Sequence, residues 1–332
     1  MKTQIENTRL TVVKRMSVTS RILFGALVTV AVLCIASCSD TDQEDTELKL
    51  DTTLGQAVFA EPVDAANAFY LALKNHDSEM ITLLLGDGYR EVLYLEEVDG
   101  EDVDSFIDGW DQANTLLPQG DDKMLIAIGE GQWTLPIPIT KGDSGWYFDV
   151  DEGRERITIR RIGRNELAAM QAVLAYYDAQ MEYAGQDRNG NGMLEYAQRF
   201  TSTAGTRDGL FWEIEEGEEM SPLGPLVGSS VDNDYYGYLY RILKAQGESA
   251  RDGAYSYILG DKMRAGFALI AWPKEYGDSG VMSFIVSHAG IVYEQNLGSD
   301  GAETAKAMTI YDPDEDWVPV KEVSGPEGGS AQ

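Results

Sequence analysis

Apolar positions recur at helical spacing early in the chain and then give way to short runs rich in β-forming residues. The helical pattern covers residues 62–73, 78–84 and 103–117. The β-rich runs cover residues 123–128, 132–139 and 145–150, with glycine-bearing turns between them. Helices followed by an antiparallel meander predict an α+β module over residues 61–152.

A longer helical pattern opens the second half of the chain, and Asn165 is predicted to cap its N-terminus. Its apolar positions step by three and four residues and predict a seam that packs on another surface: Leu167, Met170, Leu174, Tyr177, Met181 and Ala184. Strands are predicted at residues 235–243, 254–258, 265–272, 281–286 and 291–297. We therefore expect a second α+β module over residues 153–320, an acidic tether over residues 38–60 and a disordered tail over residues 321–332.

The apolar run Ile22–Cys38 is preceded by basic residues and followed by a polar, acidic stretch. This layout indicates a bacterial lipoprotein signal over residues 1–37, because residues 35–38 (IASC) match a lipobox. We expect cleavage before Cys38 and diacylation of its sulfur, which would anchor the protein in a membrane of the cell envelope. Ser39 favours the outer membrane, with the body facing the periplasm or the cell surface. The alternative is an uncleaved anchor helix, for which a run of about 15 apolar residues is short.

The charge of the chain limits its partners. With 56 acidic and 26 basic residues, the net charge is −30. Such a surface repels phosphate backbones, which excludes nucleic acid as a partner, and it suits a soluble domain or a surface that attracts divalent cations. Of the two cysteines, Cys34 lies inside the predicted signal, so we expect no disulfide in the mature protein.

One stretch, DRNGNGMLE at residues 187–195, has the spacing of a calcium-binding loop, with glycine at position 6. The candidate ligands are Asp187, Asn189, Asn191, Met193 and Glu195. Gln198 stands at position 12, where a calcium loop has a bidentate glutamate, so we expect an affinity of about 10⁻⁴ to 10⁻³ M. The alternative is a polar Asn-Gly turn that binds nothing. A second acidic cluster is interpreted as a solvated turn: Asp312, Asp314 and Asp316.

Five arginines lie close together where the two predicted modules meet: Arg154, Arg156, Arg160, Arg161 and Arg164. Guanidinium groups bind carboxylates and phosphates bidentately, so this cluster could bind an anion. The favoured alternative is internal pairing that holds the two modules together. No catalytic constellation stands out, because the histidines His76 and His288 lack metal-ligand spacing and no GxSxG motif occurs.

Long blocks of sequence in one order carry a family resemblance. They are WTLPIPI at 133–139, GWYFD at 145–149, RRIGRNELAA at 160–169, DRNGNGMLEYAQRF at 187–200, SPLGPL at 221–226, GYLYRIL at 237–243 and GFALIAWPKEYGDSGVMSF at 266–284. On these blocks the chain resembles the bacterial family DUF2950 from about Glu61 to Pro319. The resemblance implies a secreted or lipid-anchored envelope protein and brings no established activity.

Two resemblances at the level of fold refine the expected architecture. The AANAFYLALKNHD stretch with the meander that ends in GWYFD is similar to the NTF2-like cone fold. The helix of residues 165–184 with the GYLYR strand is similar to the globular part of type IV pilins and pseudopilins, although a lipobox stands in place of their spine helix. The expected fold class is α+β, with NTF2-like helices and an antiparallel meander, then a pilin-like long helix packed on an antiparallel sheet.

Three functions follow as hypotheses. The first is a non-enzymatic, lipid-anchored envelope protein that binds a ligand or an envelope protein partner, with Ca²⁺ as the candidate cofactor. The second is an enzyme or small-molecule binder that uses a cone pocket, with Asp149 or Glu91 as general base. The third is a pseudopilin-like component of an envelope assembly, which an exposed apolar patch on the helix of residues 165–184 would favour.

Overall fold

Two five-stranded antiparallel sheets, each with its own apolar core, are joined by a long helix in the part of the chain that the structure describes. The computed structural model describes residues 49–51, 55–92, 100–213, 219–224 and 234–321, and all its elements belong to one compact unit. The predicted signal, Cys38, the tether up to residue 48 and the tail from residue 322 lie outside the described residues.

The first core is built from helices that cover one sheet. The helices are α1 (Pro62–Lys74), α2 (Ser78–Leu85), α3 (Tyr89–Val92) and α4 (Gly100–Gln112). Pro62 occupies the first turn of α1, where its missing N–H costs no hydrogen bond. Asp77 caps α2, because its Oδ1 accepts a hydrogen bond from the Met80 N–H at 2.9 Å.

The strands of this half are β1 (Lys49–Asp51), β2 (Gln56–Val58), β3 (Asn114–Pro118), β4 (Lys123–Ile128), β5 (Trp133–Thr134), β6 (Ile139–Lys141) and β7 (Trp146–Phe148). The sheet order is β3-β4-β6-β7, β5 also pairs with β4, and all pairs are antiparallel. β1 pairs with β2, and Phe59 continues from β2 to form a bridge with Trp146. The predicted tether over residues 38–60 was therefore wrong in its last part, because residues 56–58 form a buried strand. Ala65 and Phe69 of α1 are buried in the same core as Ile126 and Phe148.

Helix α5 runs from Val150 to Tyr183 and is shared by both halves. Its first turns pack on the first core through Ile157, and its later turns contact the strands of the second sheet. Asp149 caps it, because its Oδ1 accepts a hydrogen bond from the Glu152 N–H at 3.0 Å. The predicted N-cap, Asn165, was wrong: it lies inside α5 and its amide donates to the Ser279 carbonyl at 2.9 Å.

The predicted seam of α5 was wrong for three of its members: Leu167, Leu174 and Met181 are 41%, 46% and 47% exposed. The buried face instead consists of Ala169, Ala172, Val173, Tyr176, Ala179, Gln180 and Tyr183. Alanines on that face allow the helix to approach the sheet closely, and the tyrosines fill the remaining volume. The predicted seam therefore lies beside the buried face, with Met170 and Tyr177 packed against the core and the other large side chains exposed.

The second sheet has the antiparallel order β16-β15-β14-β13-β8. Its strands are β8 (Tyr238–Leu243), β13 (Ala268–Pro273), β14 (Ser283–Ser287), β15 (Val292–Gln295) and β16 (Val318–Pro319). Two small hairpins flank it: β9 (Ala245–Gln246) with β10 (Tyr255–Ser256), and β11 (Ile258–Leu259) with β12 (Lys262–Met263). A short helix, α6 (Gly301–Ala307), packs near β13, which is buried along its whole length.

The predicted α+β class is confirmed, because helices and antiparallel sheets both make up the fold. The NTF2-like and pilin-like descriptions stay predictions, as does the division of the chain into two modules at residue 152. Among the described residues, no helix is both long and apolar enough to cross a membrane.

Candidate functional site

The candidate calcium loop, residues 187–195, follows directly on the end of α5 and is held at its far side by that helix. Gln180 is fully buried, and its Oε1 accepts a hydrogen bond from the Ala197 N–H at 2.9 Å. Its Nε2 donates to the Ala197 carbonyl at 2.8 Å and to the Tyr176 hydroxyl at 3.1 Å. The Tyr196 N–H donates to the carbonyl of Met263 in β12 at 2.7 Å. Helix and hairpin thus fix the C-terminal end of the loop.

Local hydrogen bonds give the loop its shape. The carboxylate of Asp187 accepts from the N–H of Asn191 at 3.0 Å and from the N–H of Gly192 at 2.8 Å. The side-chain oxygen of Asn191 accepts from the Met193 N–H at 2.9 Å. Gly190 and Gly192 adopt φ of 70° and 83°, a left-handed conformation that favours glycine. The spacing of Asp, Asn and Gly residues therefore produces the turn by itself.

Three of the candidate ligands converge inside this turn. The amide groups of Asn189 and Asn191 both donate to Oε1 of Glu195. Glu195 is 7% exposed, and its second oxygen, Oε2, is buried without a hydrogen-bond partner among the described residues. The ammonium of Lys262 lies 3.9 Å from Oε1. Burial and, next, the charge of Glu195 raise the pKa of Tyr183 to about 12.

This arrangement has the chemistry of a hard-cation site. A half-turn of each amide would present the carbonyl oxygens of Asn189 and Asn191 to the point that Glu195 faces, in exchange for the hydrogen bonds that these oxygens accept from the N–H groups of Asn191 and Met193. Calcium binds such carbonyl and carboxylate oxygens, together with a main-chain carbonyl at position 7, here Met193. Gln198 does not contribute, because its amide donates to the Asp261 carbonyl at 2.8 Å and its oxygen accepts from Lys244.

The donor set limits which metal could bind. Across the described residues, no group of three or more His, Cys, Asp and Glu side chains is placed to hold a metal ion. The loop itself contains two carboxylates, Asp187 and Glu195, so a bound ion would depend on amide and main-chain oxygens as well. An all-oxygen set without histidine or cysteine is suited to calcium rather than to zinc.

The five predicted junction arginines are spread along the first half of α5. Arg156 pairs with Glu152 at 2.8 Å and donates to Gln119 at 3.0 Å, while Arg154 lies 3.8 Å from Asp151. Two of the arginines contact other elements: Arg160 donates to Thr134, and Arg161 pairs with Asp278. Arg164 is exposed.

Two of these arginines line a shallow groove of about 620 Å³ beside β4. It is lined by Lys123, Glu152, Glu155, Arg156, Ile159 and Arg160. The hydrogen bond from Lys123 lowers the pKa of Glu152, so this carboxylate is charged. It pairs with two cations, Lys123 and Arg156. Both predicted alternatives for the arginine cluster, an anion site and a junction, stay predictions.

Comparison with known proteins supplies a family. The family DUF2950, described as a protein of unknown function, matches residues 56–320. The chain belongs to this family. No curated protein and no solved structure matches the chain. Membership in DUF2950 therefore confirms the predicted resemblance, and the family brings no known activity.

The second acidic cluster of this DUF2950 member forms a turn. Oδ1 of Asp312 accepts from the Ser249 N–H at 2.8 Å, and Oδ1 of Asp314 accepts from the Asp316 N–H at 3.1 Å. Asp316 is exposed. Asp312 and Asp314 thus accept from main-chain donors, and none of the three carboxylates is buried in the way that Glu195 is.

Neither of the two predicted catalytic bases of the first half lines one of the two grooves among the described residues. Asp149 is the N-cap of α5, and Glu91 is exposed on α3. Apolar side chains fill the space between α1 and the sheet. A groove of about 280 Å³ lies between α1, the end of α4 and β3 and has no carboxylate in its lining: Val63, Ala66, Asn67, Trp110, Asn114, Thr115 and Leu116.

Sequence reasoning missed two residues that shape the loop, Gln180 and Lys262. Gln180 lies seven residues after Val173 and four after Tyr176, on the buried face of α5. A glutamine in register with that face was the available signal, because a buried amide requires partners. Lys262 had no such signal, since its approach to Glu195 depends on the β11–β12 hairpin.

Proposed function

We propose that this DUF2950 member is a lipid-anchored, non-enzymatic protein of the bacterial envelope that binds a partner protein and carries a calcium-ordered loop. The lipobox at residues 35–38 supports the anchor, and the charge of −30 supports a role in binding cations. The observation that carries the calcium part is Glu195, a buried carboxylate whose second oxygen has no hydrogen-bond partner among the described residues.

Without a cation, this carboxylate is an unfavourable group. A buried charged oxygen that lacks a hydrogen bond loses its hydration without full compensation. Calcium would supply that compensation and would draw in the side-chain oxygens of Asn189 and Asn191, whose amide nitrogens already donate to Glu195. Since position 12 carries Gln198 instead of a bidentate glutamate, we expect the weak affinity of about 10⁻⁴ to 10⁻³ M that extracellular modules have.

Calcium is expected to raise the melting temperature of the protein. At a free concentration ten times Kd, one site adds about 1.4 kcal/mol to the free energy of unfolding, which corresponds to about 3 °C. Asp187→Ala and Glu195→Gln should each abolish this rise, whereas Asp316→Ala should keep it. The measurement is thermal unfolding by circular dichroism with calcium and with chelator.

Glu195→Gln also separates the calcium hypothesis from a purely structural role. A neutral amide is less costly to bury than a carboxylate, so in chelator this variant should unfold at or above the wild-type temperature. If instead the wild-type protein shows no shift at millimolar calcium, the loop is a turn and this part of the proposal is wrong.

The lipid anchor has an independent test. Cys38→Ala should abolish incorporation of labelled palmitate, because Cys38 is the proposed acylation site. The variant should therefore lack the lipid-modified form of the protein. Cys34→Ala is the matched control, since it changes the other cysteine and should leave labelling unchanged. Labelling that persists in Cys38→Ala would contradict the anchor. Both cysteines lie outside the described residues.

No observation in the described residues favours the cone-pocket enzyme. That hypothesis requires a carboxylate inside an apolar pocket, and its two candidates, Asp149 and Glu91, are respectively a helix cap and an exposed residue. The exposed apolar residues on α5 agree instead with the binding and assembly hypotheses, which both require a contact surface.

A further inference from the structure

One face of α5 exposes an apolar strip. Leu167, Leu174 and Met181 are spaced seven residues apart, so they lie on the same side of the helix, and each is 41% to 47% exposed. The strip is about 21 Å long at the rise of an α-helix. Single exposed apolar residues are common, but three in register along one helix are the pattern of a helix that contacts another helix.

The charges beside this strip have opposite signs at its two ends. Arg164 is exposed one turn before Leu167, while Asp178 and Glu182 are exposed near Met181. A parallel second copy of α5 would place Arg164 against Arg164 and Asp178 against Asp178. An antiparallel copy brings each arginine to the acidic end of the other helix, which is the favourable arrangement.

We propose that the exposed strip of α5 binds a second copy of this chain in antiparallel orientation, with Leu174 at the two-fold axis. The same surface then meets itself, Leu167 of each copy lies against Met181 of the other, and the charged ends are complementary. This inference goes beyond the proposed function and needs neither calcium nor the lipid anchor.

We expect the affinity between the two copies to be low, because the contact is small and both chains are negatively charged. A single helix strip buries less than the roughly 800 Å² per partner of a standard stable interface. Two chains with a net charge of −30 also repel each other, and this repulsion is reduced at about 0.15 M salt, where the Debye length is about 8 Å. We therefore expect association that depends on concentration, which tethering to one membrane would promote.

Thiol cross-linking of the purified full chain tests the pair and its orientation. Cys34→Ser and Cys38→Ser make an introduced cysteine the sole thiol. Leu174→Cys should yield a covalent dimer with a short bis-maleimide at 0.15 M salt. Leu259→Cys is the matched control, because Leu259 is 55% exposed on the β11–β12 hairpin and should give only background dimer.

Mixed samples report the direction of the helices. Leu167→Cys mixed with Met181→Cys should cross-link more efficiently than either variant alone, and adding Leu174→Glu to both chains should remove the product. A Leu174→Cys yield no higher than that of Leu259→Cys would overturn the pair. Leu167→Cys cross-linking to itself as well as Leu174→Cys does would indicate parallel helices and would equally overturn the proposal.

Discussion

Gln180→Leu is expected to lower the free energy of unfolding by about 3 kcal/mol and to remove the stabilisation by calcium. The side chain is fully buried, and it satisfies both the N–H and the carbonyl of Ala197. Leucine has a similar size but leaves these two groups unpaired, and each unpaired buried group costs about 1–3 kcal/mol. The calcium loop would then lose the contact that fixes its far side.

The control for this variant lies on the same helix. Gln171→Leu changes an exposed glutamine of α5 and should alter the free energy of unfolding by no more than about 0.5 kcal/mol. Urea denaturation, with and without calcium, measures both effects. Equal stability of the two variants would show that the bonds between Gln180 and Ala197 do not hold the loop.

The shape of the candidate loop was predictable because its hydrogen bonds are local. Asp187 bonds to main-chain groups four and five residues away, and glycines occupy the left-handed positions, so the D-x-N-x-N-G spacing alone encodes the turn. The supports of the loop were not predictable in this way. Gln180 bonds to Ala197, which lies 17 residues later in the chain. Lys262 approaches Glu195 from the β11–β12 hairpin.

The long helix shows the same division between local and distant causes. The α+β class followed from the apolar periods, which report on one element at a time. The start of α5 was misplaced because Asn165 is a good capping residue, yet Asp149, 16 residues earlier, caps the helix through the Glu152 N–H and the intervening arginines and glutamates favour helix. Its buried face was misassigned because alanine and tyrosine, rather than leucine, match the sheet it covers.

Once the start and the buried face of α5 are known, its exposed apolar residues can be interpreted as a surface strip. A strip that packs on the protein's own sheet needs no partner, whereas Leu167, Leu174 and Met181 remain in contact with solvent on a helix whose other side is filled. The heptad spacing that predicted an internal seam is thus retained as a surface feature. The seven-residue spacing was predicted correctly, but its packing on the protein's own sheet was wrong.

Gly145→Ala is expected to destabilise the first half of the protein by about 3 kcal/mol. Gly145 adopts φ of +142°, a conformation that side-chain-bearing residues rarely enter, and an added Cβ would lie 2.5 Å from the Phe59 carbonyl oxygen. That oxygen accepts a hydrogen bond from the Trp146 N–H at 2.8 Å, so the clash falls on the bridge that covers the edge strand β7.

Because the atom that the new methyl group meets belongs to the main chain, no side-chain rotation can relieve the clash, and the bridge must open instead. Gly131→Ala is the control: no atom lies within 4 Å of its added Cβ and its φ is not positive, so its stability should stay near the wild-type value. Urea denaturation of both variants decides the matter. Equal midpoints would mean that the bridge between Phe59 and Trp146 contributes nothing to holding β2 against β7.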